Sequence, residues 1–441
     1  MPSPDALLYG RHIEQRSREL DAMLAELGYD GLLIHSGRPQ NRLFDDQPPP
    51  FRAHPPFVAW VPQPLAADSL LELRPGCKPR LWYCQPDDFW HLPPTVPPDW
   101  WSEALDIEIV NAPEDWHACF AGRRTLAAIG DGNALDNVLG GADLNPPELL
   151  WRLDQARTRK TAWERECIAQ ANRRAVAGHR AAAAAFDRAQ SELGIHLAYL
   201  AAVGQDQDML PYNSIVALNE HAAVLHYQYR DAGTPTERHS FLIDAGADCH
   251  GYAADITRTR SAFDSGDFRA LIDAMDDLQQ RLCAAARPGV SFVDLHRQAH
   301  LGVASILQDA GIVNMAAADQ VETGVSASFL PHGLGHFLGV QVHDVAGQVD
   351  EGGQPLPPPD VWPMLRLTRV LVPGNVLTIE PGLYFIPSLL ERLRASRYAD
   401  RVDWSAVAAL APFGGIRIED NILVSESDPV NFTRLAFLES S

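Results

Sequence analysis

The sequence predicts two domains, an α/β domain over residues 1–157 and an α+β domain over residues 158–441. The chain has 441 residues, which is more than one hydrophobic core usually supports. The first third shows one helical pattern followed by short strand-like runs, whereas the rest shows helices and strands in blocks. A break in the pattern falls near 153–160, where a new long helix begins.

Short apolar runs between loop residues mark the strands of the first domain. A helical pattern near 10–28 ends at Gly28, and glycine commonly follows the last turn of a helix. Apart from the acidic pair Asp45 and Asp46 in a predicted loop, this domain shows no chemical motif. The predicted strands lie in GLLIHSG, FVAWVP, RLWYCQP, IEIVNA and TLAAIGD.

The second domain alternates blocks of helix and strand. Apolar residues at helical spacing predict a long helix after the break and two amphipathic helices, near 266–287 and 292–309. The Gly- and Pro-rich stretch 346–361 is expected to be a loop. We therefore expect helices packed on one face of a curved antiparallel sheet. The predicted strands lie in NSIVAL, AAVLHYQY, SFLIDAG, DITRTRSAF, VLTIEPGLYF and GGIRIEDNILV.

Charge and composition exclude several classes of function. The chain carries 36 Lys and Arg against 57 Asp and Glu, a net charge of −21, which disfavours binding to nucleic acid or anionic membranes. No apolar run is long enough to cross a membrane, and the N-terminus lacks the apolar core of a signal peptide. The six cysteines show no CxxC spacing and are typical of reduced thiols. We therefore expect a cytoplasmic protein.

Five separated side chains of the second domain are candidate metal ligands. Four carboxylates balance the charge of two divalent cations, whereas without a cation they would repel one another and take up protons. An oxygen-rich set with one imidazole suits hard divalent cations. Two such ions about 3.5–4 Å apart activate water and polarise a carbonyl, so the sequence predicts a dinuclear metallohydrolase. The candidates are Asp244, Asp255, His336, Glu380 and Glu419.

Asp244 and Asp255 flank a turn that contains Gly246 and Gly251. If the flanking segments pair as a hairpin, the two aspartates lie nearly opposite each other, about 4.5–5.5 Å apart, and can share a cation. The alternative is a pair of ordinary aspartates beside a turn. Their apolar, strand-like surroundings favour a site, because an unpaired buried charge is costly.

Three histidines, His332, His336 and His343, lie within twelve residues of one another. The spacing of the first two matches a zinc-binding helix. However, Gly333 and Gly335 disfavour a helix, and the glutamate of that motif is missing. We predict a glycine-rich loop that presents imidazoles, with purely structural histidines as the alternative.

The ends of the predicted strands and the alternation of residues along them predict where the remaining polar side chains of the second domain are placed. Glu380 follows an apolar run and precedes a Pro-Gly pair, which places it at the rim of a sheet. Alternation puts Arg417 and Glu419 on one face. Arg417 then forms either an ordinary cross-strand ion pair or a support for a ligand carboxylate. His226, alone in an apolar run, suggests a core histidine on the residues alone.

The order and spacing of these motifs resemble the pita-bread metallopeptidase family, which includes methionine aminopeptidase, aminopeptidase P and prolidase. The resemblance rests on DAG followed after eight residues by Asp255, then HGLGHFLGVQVHD, LTIEPGLYF and GGIRIED. NRLFDDQPPPFRAHPPFVAWVP and RKTAWE are similar to bacterial prolidases, including relatives with organophosphorus acid anhydrolase activity. The likeness is close over 200–421 and loose over 65–150.

The resemblance implies a pita-bread catalytic domain and a role for each ligand. Asp255 and Glu419 would contact both metals, and Asp244 would chelate one of them. His336 and Glu380 would complete the coordination of the other metal. Mn²⁺ is the implied metal, with Zn²⁺ or Co²⁺ as alternatives.

The resemblance also implies catalytic side chains. Glu380 would act as general base or acid. His226 and His343 would stabilise the oxyanion and the leaving group, which replaces the reading of His226 as a core residue.

The substrate implied by the resemblance is an Xaa-Pro dipeptide with a free C-terminal carboxylate. Arg366, fourteen residues before Glu380, would bind that carboxylate, assisted by His332. The alternatives for Arg366 are a solvated surface charge or the same role for Arg369.

Two further positions match family pocket residues. Tyr212 would line the pocket, and Asp45 would reach the pocket of the partner subunit in a homodimer. The first domain would then restrict substrate length and contribute to dimerisation.

Three other functions compete with the dipeptidase interpretation. An aminopeptidase P would accept longer Xaa-Pro peptides and lack the arginine clamp. A phosphotriester hydrolase activity would accompany the peptidase, but Phe292 stands where anhydrolase-type relatives carry tyrosine, which argues against efficient activity. A non-catalytic scaffold is disfavoured because the set of ligands is complete.

Overall fold

The computed structural model describes residues 4–90, 92, 97–117, 120, 125–135 and 142–439. The chain divides into two compact units, Met1–Cys167 and Ile168–Ser441. Each unit has a hydrophobic core of its own, the first around Leu33 and Trp116, the second around Met275 and Leu377. Among the described residues, no helix is both long and apolar enough to cross a membrane.

The first unit is built on a mixed sheet of six strands. The strand order is β4-β3-β2-β1-β5-β6, in which β2 runs antiparallel to both of its neighbours and the other pairs are parallel. The strands are β1 (Gly31–His35), β2 (Leu70–Leu73), β3 (Arg80–Cys84), β4 (Asp106–Val110), β5 (Leu126–Ile129) and β6 (Asp143–Leu144). The helices are α1 (Pro4–Leu27), α2 (Pro55–Val58), α3 (Asp99–Ser102), α4 (Glu114–His117), α5 (Gly132–Leu135) and α6 (Pro147–Arg157).

The FVAWVP run is not the strand predicted from its apolar residues. Its first residues belong to the short helix α2, which starts at Pro55 and buries Phe57 and Val58. Proline suits the first turn of a helix, and a short apolar run does not distinguish a buried helix from a buried strand. The strand in this part of the sheet is instead β2, whose four residues are all buried.

Long helices and short antiparallel ladders alternate in the second unit, as the sequence predicts. Helix α7 (Ala162–Asp187) begins in the first unit and continues into the second. The other helices are α8 (Glu192–Val203), α9 (Asp267–Ala285), α10 (Phe292–Asp309), α11 (Ala317–Glu322), α12 (Pro387–Arg394), α13 (Trp404–Leu410) and α14 (Phe432–Glu439).

The strands of the second unit pair in antiparallel ladders, β11-β8-β7, β12-β15-β16, β13-β14 and β10-β9. An isolated bridge between Thr257 and Glu419 connects β11 to the segment between β14 and β15. The strands are β7 (Ile215–Leu218), β8 (Ser240–Asp244), β9 (Asp248–Cys249), β10 (Tyr252–Ala253), β11 (Thr257–Ser261), β12 (Val376–Ile379), β13 (Gly382–Tyr384), β14 (Gly415–Arg417), β15 (Asp420–Leu423) and β16 (Val430–Asn431).

The AAVLHYQY run is also not a strand. A 3-10 helix over Asn219–Ala223 leads into a turn that exposes His226. The reading of His226 as a histidine of an apolar strand is therefore wrong. The apolar side chains of this run do not alternate across a sheet, because Ala222 and Tyr227 pack in a small core cluster with Leu242 of β8.

Candidate metal centre

One cavity in the second unit brings the five predicted ligands together. Its apolar walls come from Leu225, Pro331 and Met364, which the sequence reasoning did not single out. The polar side chains that line it are His226, Asp244, Asp255, His332, His336, His343, Arg366, Glu380, Arg417 and Glu419.

Strand register places the two aspartates on the same face. Thr257 of β11 is opposite Asp244 of β8, so Asp255 lies two positions further along the ladder. The two aspartates are therefore diagonal neighbours rather than the directly opposed pair that a simple hairpin predicts. The turn between them closes tightly, because a Cβ on Gly246 would lie 2.0 Å from the carbonyl oxygen of Ala254.

Tyr212 contacts both aspartates with one hydroxyl group. Its Oη lies 2.8 Å from Oδ1 of Asp244 and 2.6 Å from Oδ1 of Asp255. A hydroxyl has a single hydrogen to donate, so one contact requires a protonated carboxyl when no cation is bound. Burial, with the nearby Asp255, raises the pKa of Asp244 despite the opposing charge of Arg417. A cation bound to both aspartates would offset the repulsion between their closely spaced carboxylate oxygens.

A loop against β12 presents His336 to the carboxylates. The backbone N–H of His336 donates to Oγ1 of Thr378, at 3.1 Å, and Nδ1 bonds the carbonyl oxygen of Phe337, at 2.8 Å. Nδ1 therefore carries the hydrogen of the neutral ring, and Nε2 is left with a lone pair. Nε2 faces Oδ2 of Asp255 at 3.4 Å and Oε1 of Glu380 at 3.8 Å. Although burial lowers the pKa of His336, the hydrogen bond and charge of Asp255 and the charge of Glu380 raise it above its usual value, so Nε2 and these oxygens require either a proton or a cation between them.

Glu419 completes a compact group of ligand atoms. Ligand atoms of Asp255, His336 and Glu419 lie within 4.8 Å of one another, and all three residues are buried. Oγ1 of Thr257 donates to Oε2 of Glu419 at 2.7 Å. Burial and the neighbouring carboxylates raise the pKa of Glu419, and burial raises the pKa of Glu380 to about 7. Carboxyl groups that retain protons in this way fit a site for divalent cations, which stabilise the ionised form.

Of the two alternatives for Arg417, its contacts favour support for a ligand carboxylate, because its ion pair is with Asp244. Its side chain is buried, and Nη2 donates to Oδ2 of Asp244 at 2.8 Å. Nη1 donates to the hydroxyl of Tyr384 at 3.0 Å, and Nε donates to Oγ1 of Thr257 at 3.2 Å. The sequence reasoning missed Tyr384 and Thr257, although both lie in strands next to predicted ligands.

The remaining imidazoles differ in their surroundings. Both ring nitrogens of His332 already have partners at 2.8 Å, the carbonyl oxygen of Gly333 and the hydroxyl of Tyr384. Burial lowers the pKa of His332 to about 3. The ring of His343 is 4.4 Å from that of His336, edge to face. Desolvation, with the charges of His336 and Arg366, lowers the pKa of His343 to about 4, so it is neutral near pH 7.

The two arginines considered for binding the substrate carboxylate, Arg366 and Arg369, lie in different surroundings. Arg366 is exposed and lines the cavity, whereas Arg369 is buried and donates to the carbonyl oxygen of Ala346 at 3.3 Å. Phe292 begins α10 and packs in the hydrophobic core. A tyrosine hydroxyl there would therefore be buried among apolar side chains.

Asp45 lies in an exposed turn of the first unit, where its Oδ1 accepts from the backbone N–H of Gln47 at 3.1 Å. The preceding residues, Leu43 and Phe44, are 84% and 99% exposed. Large apolar side chains that are exposed beside an acidic turn are typical of contact surfaces.

Two family models match the chain. The model described as metallopeptidase family M24 matches residues 166–426. The model described as the N-terminal domain of Xaa-Pro dipeptidase matches residues 7–154. Together they span both compact units.

Curated relatives are similar over almost the full length. A protein of Xanthomonas campestris pv. campestris named Xaa-Pro dipeptidase is 46% identical over 434 residues, which cover 98% of each chain. A protein of Marinobacter nauticus with the same name is 47% identical over 439 residues, 98% of this chain and 99% of that protein. The predicted resemblance to prolidases is confirmed.

Solved structures with the same fold include aminopeptidase P enzymes. Zinc-substituted aminopeptidase P of Escherichia coli, in complex with product, superposes with a TM-score of 0.72 at 20% identity, over 98% of this chain and 95% of that chain. Proline aminopeptidase P II of Yersinia pestis gives 0.73 at 21% identity, over 97% of this chain and 96% of that chain. These similarities establish the fold, and the expected pita-bread domain with a separate N-terminal domain is confirmed.

Proposed function

The chain belongs to metallopeptidase family M24, and from this premise we propose that it hydrolyses Xaa-Pro dipeptides in a metal-dependent reaction. The observation that carries the proposal is the convergence of four carboxylates and Nε2 of His336 on one cavity. The full-length similarity to proteins named Xaa-Pro dipeptidase supports the choice of substrate.

The proposed site holds two divalent metal ions per subunit, with Mn²⁺ as the first choice and Zn²⁺ or Co²⁺ as alternatives. Asp255 and Glu419 would contact both ions, as the family resemblance implies, and their ligand atoms lie within 4.8 Å of each other and of His336. Asp244 would serve one ion, and His336 with Glu380 the other. When bound, the ions supply an activated water and a Lewis acid for the peptide carbonyl.

Glu380 would move the proton of the reaction as general base or acid. It lies directly after β12, its backbone N–H donates to the carbonyl oxygen of Leu334 at 2.8 Å, and its side chain is partly exposed to the cavity. In the proposed reaction its carboxyl group would accept a proton and return it.

His343 and His226 would stabilise negative charge on the substrate. Both line the cavity and both are exposed to it. The low pKa of His343 keeps its ring neutral near pH 7, so it can donate one hydrogen bond. A donor that is already in place when charge develops on the substrate lowers the barrier most effectively.

Arg366 is the proposed clamp for the free carboxylate of the C-terminal proline. A guanidinium can bind a carboxylate with two parallel hydrogen bonds. Arg366 lines the cavity and Arg369 is engaged in the core, which favours Arg366 for this role. His332 would assist by contact, since both of its ring nitrogens are already bonded. A clamp of this kind favours a dipeptidase over an aminopeptidase P.

We further propose a cytoplasmic homodimer in which Asp45 reaches the pocket of the partner subunit and the first domain restricts substrate length. The exposed Leu43 and Phe44 beside Asp45 support a contact surface. The described cysteines are present as thiols, which suits a reducing compartment. Cys119 lies outside the described residues. Gel filtration with light scattering tests the dimer, and Asp45→Ala should lower activity without loss of metal.

The decisive experiment is a metal add-back assay on two peptides. The protein is dialysed against a chelator, reloaded with Mn²⁺ and incubated with Ala-Pro or Ala-Pro-Ala, and the free amino acids are measured. Mn²⁺-dependent cleavage of Ala-Pro alone is the expected result. Cleavage of both peptides would move the assignment to an aminopeptidase P.

A chromogenic phosphotriester is assayed in parallel as the side activity, and we expect slow turnover. Failure on both peptides by folded, metal-loaded protein would overturn the proposed function. In that case, turnover of the phosphotriester would identify a phosphotriesterase, and no turnover at all would identify a non-catalytic scaffold.

A further inference from the structure

The segment 219–231, called the His226 loop below, forms one wall of the cavity. It follows β7 and contributes Leu225 and His226 to the lining. Apart from its short 3-10 helix, the loop has no regular structure. Its position therefore depends on contacts with neighbouring elements rather than on a strand register.

Glu192, the first residue of α8, supplies several of these contacts. Its side chain is buried at 1% exposure, and both carboxylate oxygens face the His226 loop. Oε1 accepts hydrogen bonds from the backbone N–H of Leu218 (2.9 Å) and from Nδ1 of His221 (2.8 Å). Oε2 accepts from the hydroxyl of Tyr227 (2.8 Å) and from the backbone N–H of Asp231 (2.9 Å).

These four bonds hold both ends and the middle of the loop. Leu218 lies at its start and Asp231 at its end, while His221 and Tyr227 stack on each other with ring centroids 4.6 Å apart. The backbone N–H of Leu193 also donates to the carbonyl oxygen of Asp231, at 3.1 Å. The N-terminus of α8 therefore closes the loop on either side of His226.

The arrangement is one of hydrogen bonding and not a second metal site. Glu192, His221 and Asp231 offer ligand atoms within 4.8 Å of one another. A carboxylate has about four lone-pair positions, and the four donors occupy those of Glu192. Bonds to an ionised acceptor are stronger than neutral ones, and a carboxylate at a helix N-terminus is further stabilised by the helix dipole.

We propose that Glu192 is a positioning residue that fixes His226 in the cavity and thereby acts on turnover. The proposal rests on the proposed function, since it assumes that His226 stabilises charge on the substrate. Glu192 does not line the cavity, so its effect passes through the loop. A glutamine in its place would keep one acceptor oxygen but direct an NH₂ group at two of the donors, which breaks the clamp with little change of volume.

The test compares Glu192→Gln with Glu220→Gln as the matched control. Glu220 is an exposed glutamate of the His226 loop, so the control makes the same Glu→Gln change on the loop itself and leaves the hydrogen bonds of Glu192 in place. With Mn²⁺-loaded protein and Ala-Pro, we expect Glu192→Gln to lower kcat about ten-fold. We expect its KM and metal content to stay close to wild type, and the control to behave as wild type.

A double-mutant cycle with His226→Ala separates positioning from general damage to the fold. If Glu192 acts through His226, Glu192→Gln should change the rate of the His226→Ala enzyme by less than about two-fold. An equal loss in both backgrounds would overturn the proposal. Tyr227→Phe, which removes one of the four bonds, should give a smaller loss with the same coupling, and it replaces Glu192→Gln if that variant fails to fold.

Amide hydrogen exchange gives a readout that is independent of activity. We expect faster exchange in 219–231 for Glu192→Gln and unchanged exchange in β8 and β11. Unchanged exchange in the loop would contradict the clamp. If the wild type itself does not cleave Ala-Pro, the proposed function fails and with it the role in turnover, while the exchange data still decide whether Glu192 holds the loop.

Discussion

The carboxylates and the imidazoles of the cavity are positioned in different ways. Asp244 ends a strand, and Asp255, Glu380 and Glu419 each lie within two residues of one, so ladder hydrogen bonds set their places. The histidines come from irregular segments, one over 331–345 and the other the His226 loop. Strand-borne groups are therefore placed by local register, whereas loop-borne groups depend on individual side-chain contacts such as those of Glu192.

The two groups also differ in burial. Asp255, His336 and Glu419 are buried and Asp244 and Glu380 are partly exposed, whereas His226 and His343 are exposed to the cavity. His336 belongs with the carboxylates in this respect, because its backbone is bonded twice to Thr378 of β12. Its N–H donates to Oγ1 of Thr378, and its carbonyl oxygen accepts from the backbone N–H of Thr378. We propose that the less exposed groups hold the metal and that the accessible imidazoles meet the substrate.

The largest effect is expected from removing one charge of the buried cluster. Asp255→Asn or Glu419→Gln should abolish Mn²⁺ binding and lower kcat/KM on the order of 10³-fold or more, because each residue would contact both ions. Metal per subunit is measured by mass spectrometry after gel filtration, beside hydrolysis of Ala-Pro. Glu426→Gln, an exposed change of the same kind, is the control. Full metal content and activity in either variant would refute the bridging assignment.

A smaller effect is expected from removing a loop-borne imidazole. His343→Ala should retain both ions and lower kcat about 10²-fold, since a donor to the developing charge is lost. Metal content and steady-state rates are measured on the same preparation. If the metal is lost instead, His343 is a ligand, and the division between less exposed ligands and accessible substrate groups breaks down.

Arg366→Lys should change binding more than turnover. A lysine keeps the charge but cannot form two parallel bonds with a carboxylate, so KM for Ala-Pro should rise about ten-fold at nearly constant kcat. Arg392→Lys, at an exposed helical position, serves as control. An unchanged KM would place the carboxylate clamp elsewhere in the cavity.

The smallest effect concerns the pH dependence of the metal-free protein. Because burial raises the pKa of Glu380 from 4.5 to about 7, its ionisation opposes folding. The cost is absent below the unfolded pKa and complete above about pH 7, so the metal-free protein should lose stability as the pH rises through this window.

Thermal unfolding by circular dichroism at pH 5 and pH 8 measures this loss, which we expect to lower Tm by roughly 5 °C. Glu380→Gln should reduce the difference, and bound Mn²⁺ should remove it. A metal-free protein that is equally stable at both pH values would show that the carboxyl group is not constrained by its surroundings.

Much of the site could be predicted from the sequence because its carboxylates and Arg417 lie in strands or within two residues of one. Alternation in GGIRIEDN correctly places Arg417 and Glu419 towards the cavity and Ile416 and Ile418 in the core. Residues without a local signal were missed. Glu192 lies early in a helix far along the chain from His226, and its role depends on four contacts that only the folded chain creates.

The sequence by itself determined the family, the α+β class of the catalytic part and the five candidate ligands, because periodicity and motif spacing are local properties of the chain. The tertiary structure decided how those parts meet. It made Asp244 and Asp255 diagonal rather than opposite, turned the predicted AAVLHYQY strand into a clamped loop and assigned Arg417 to Asp244. Each of these depends on register or on hydrogen bonds between distant segments, which no local pattern encodes.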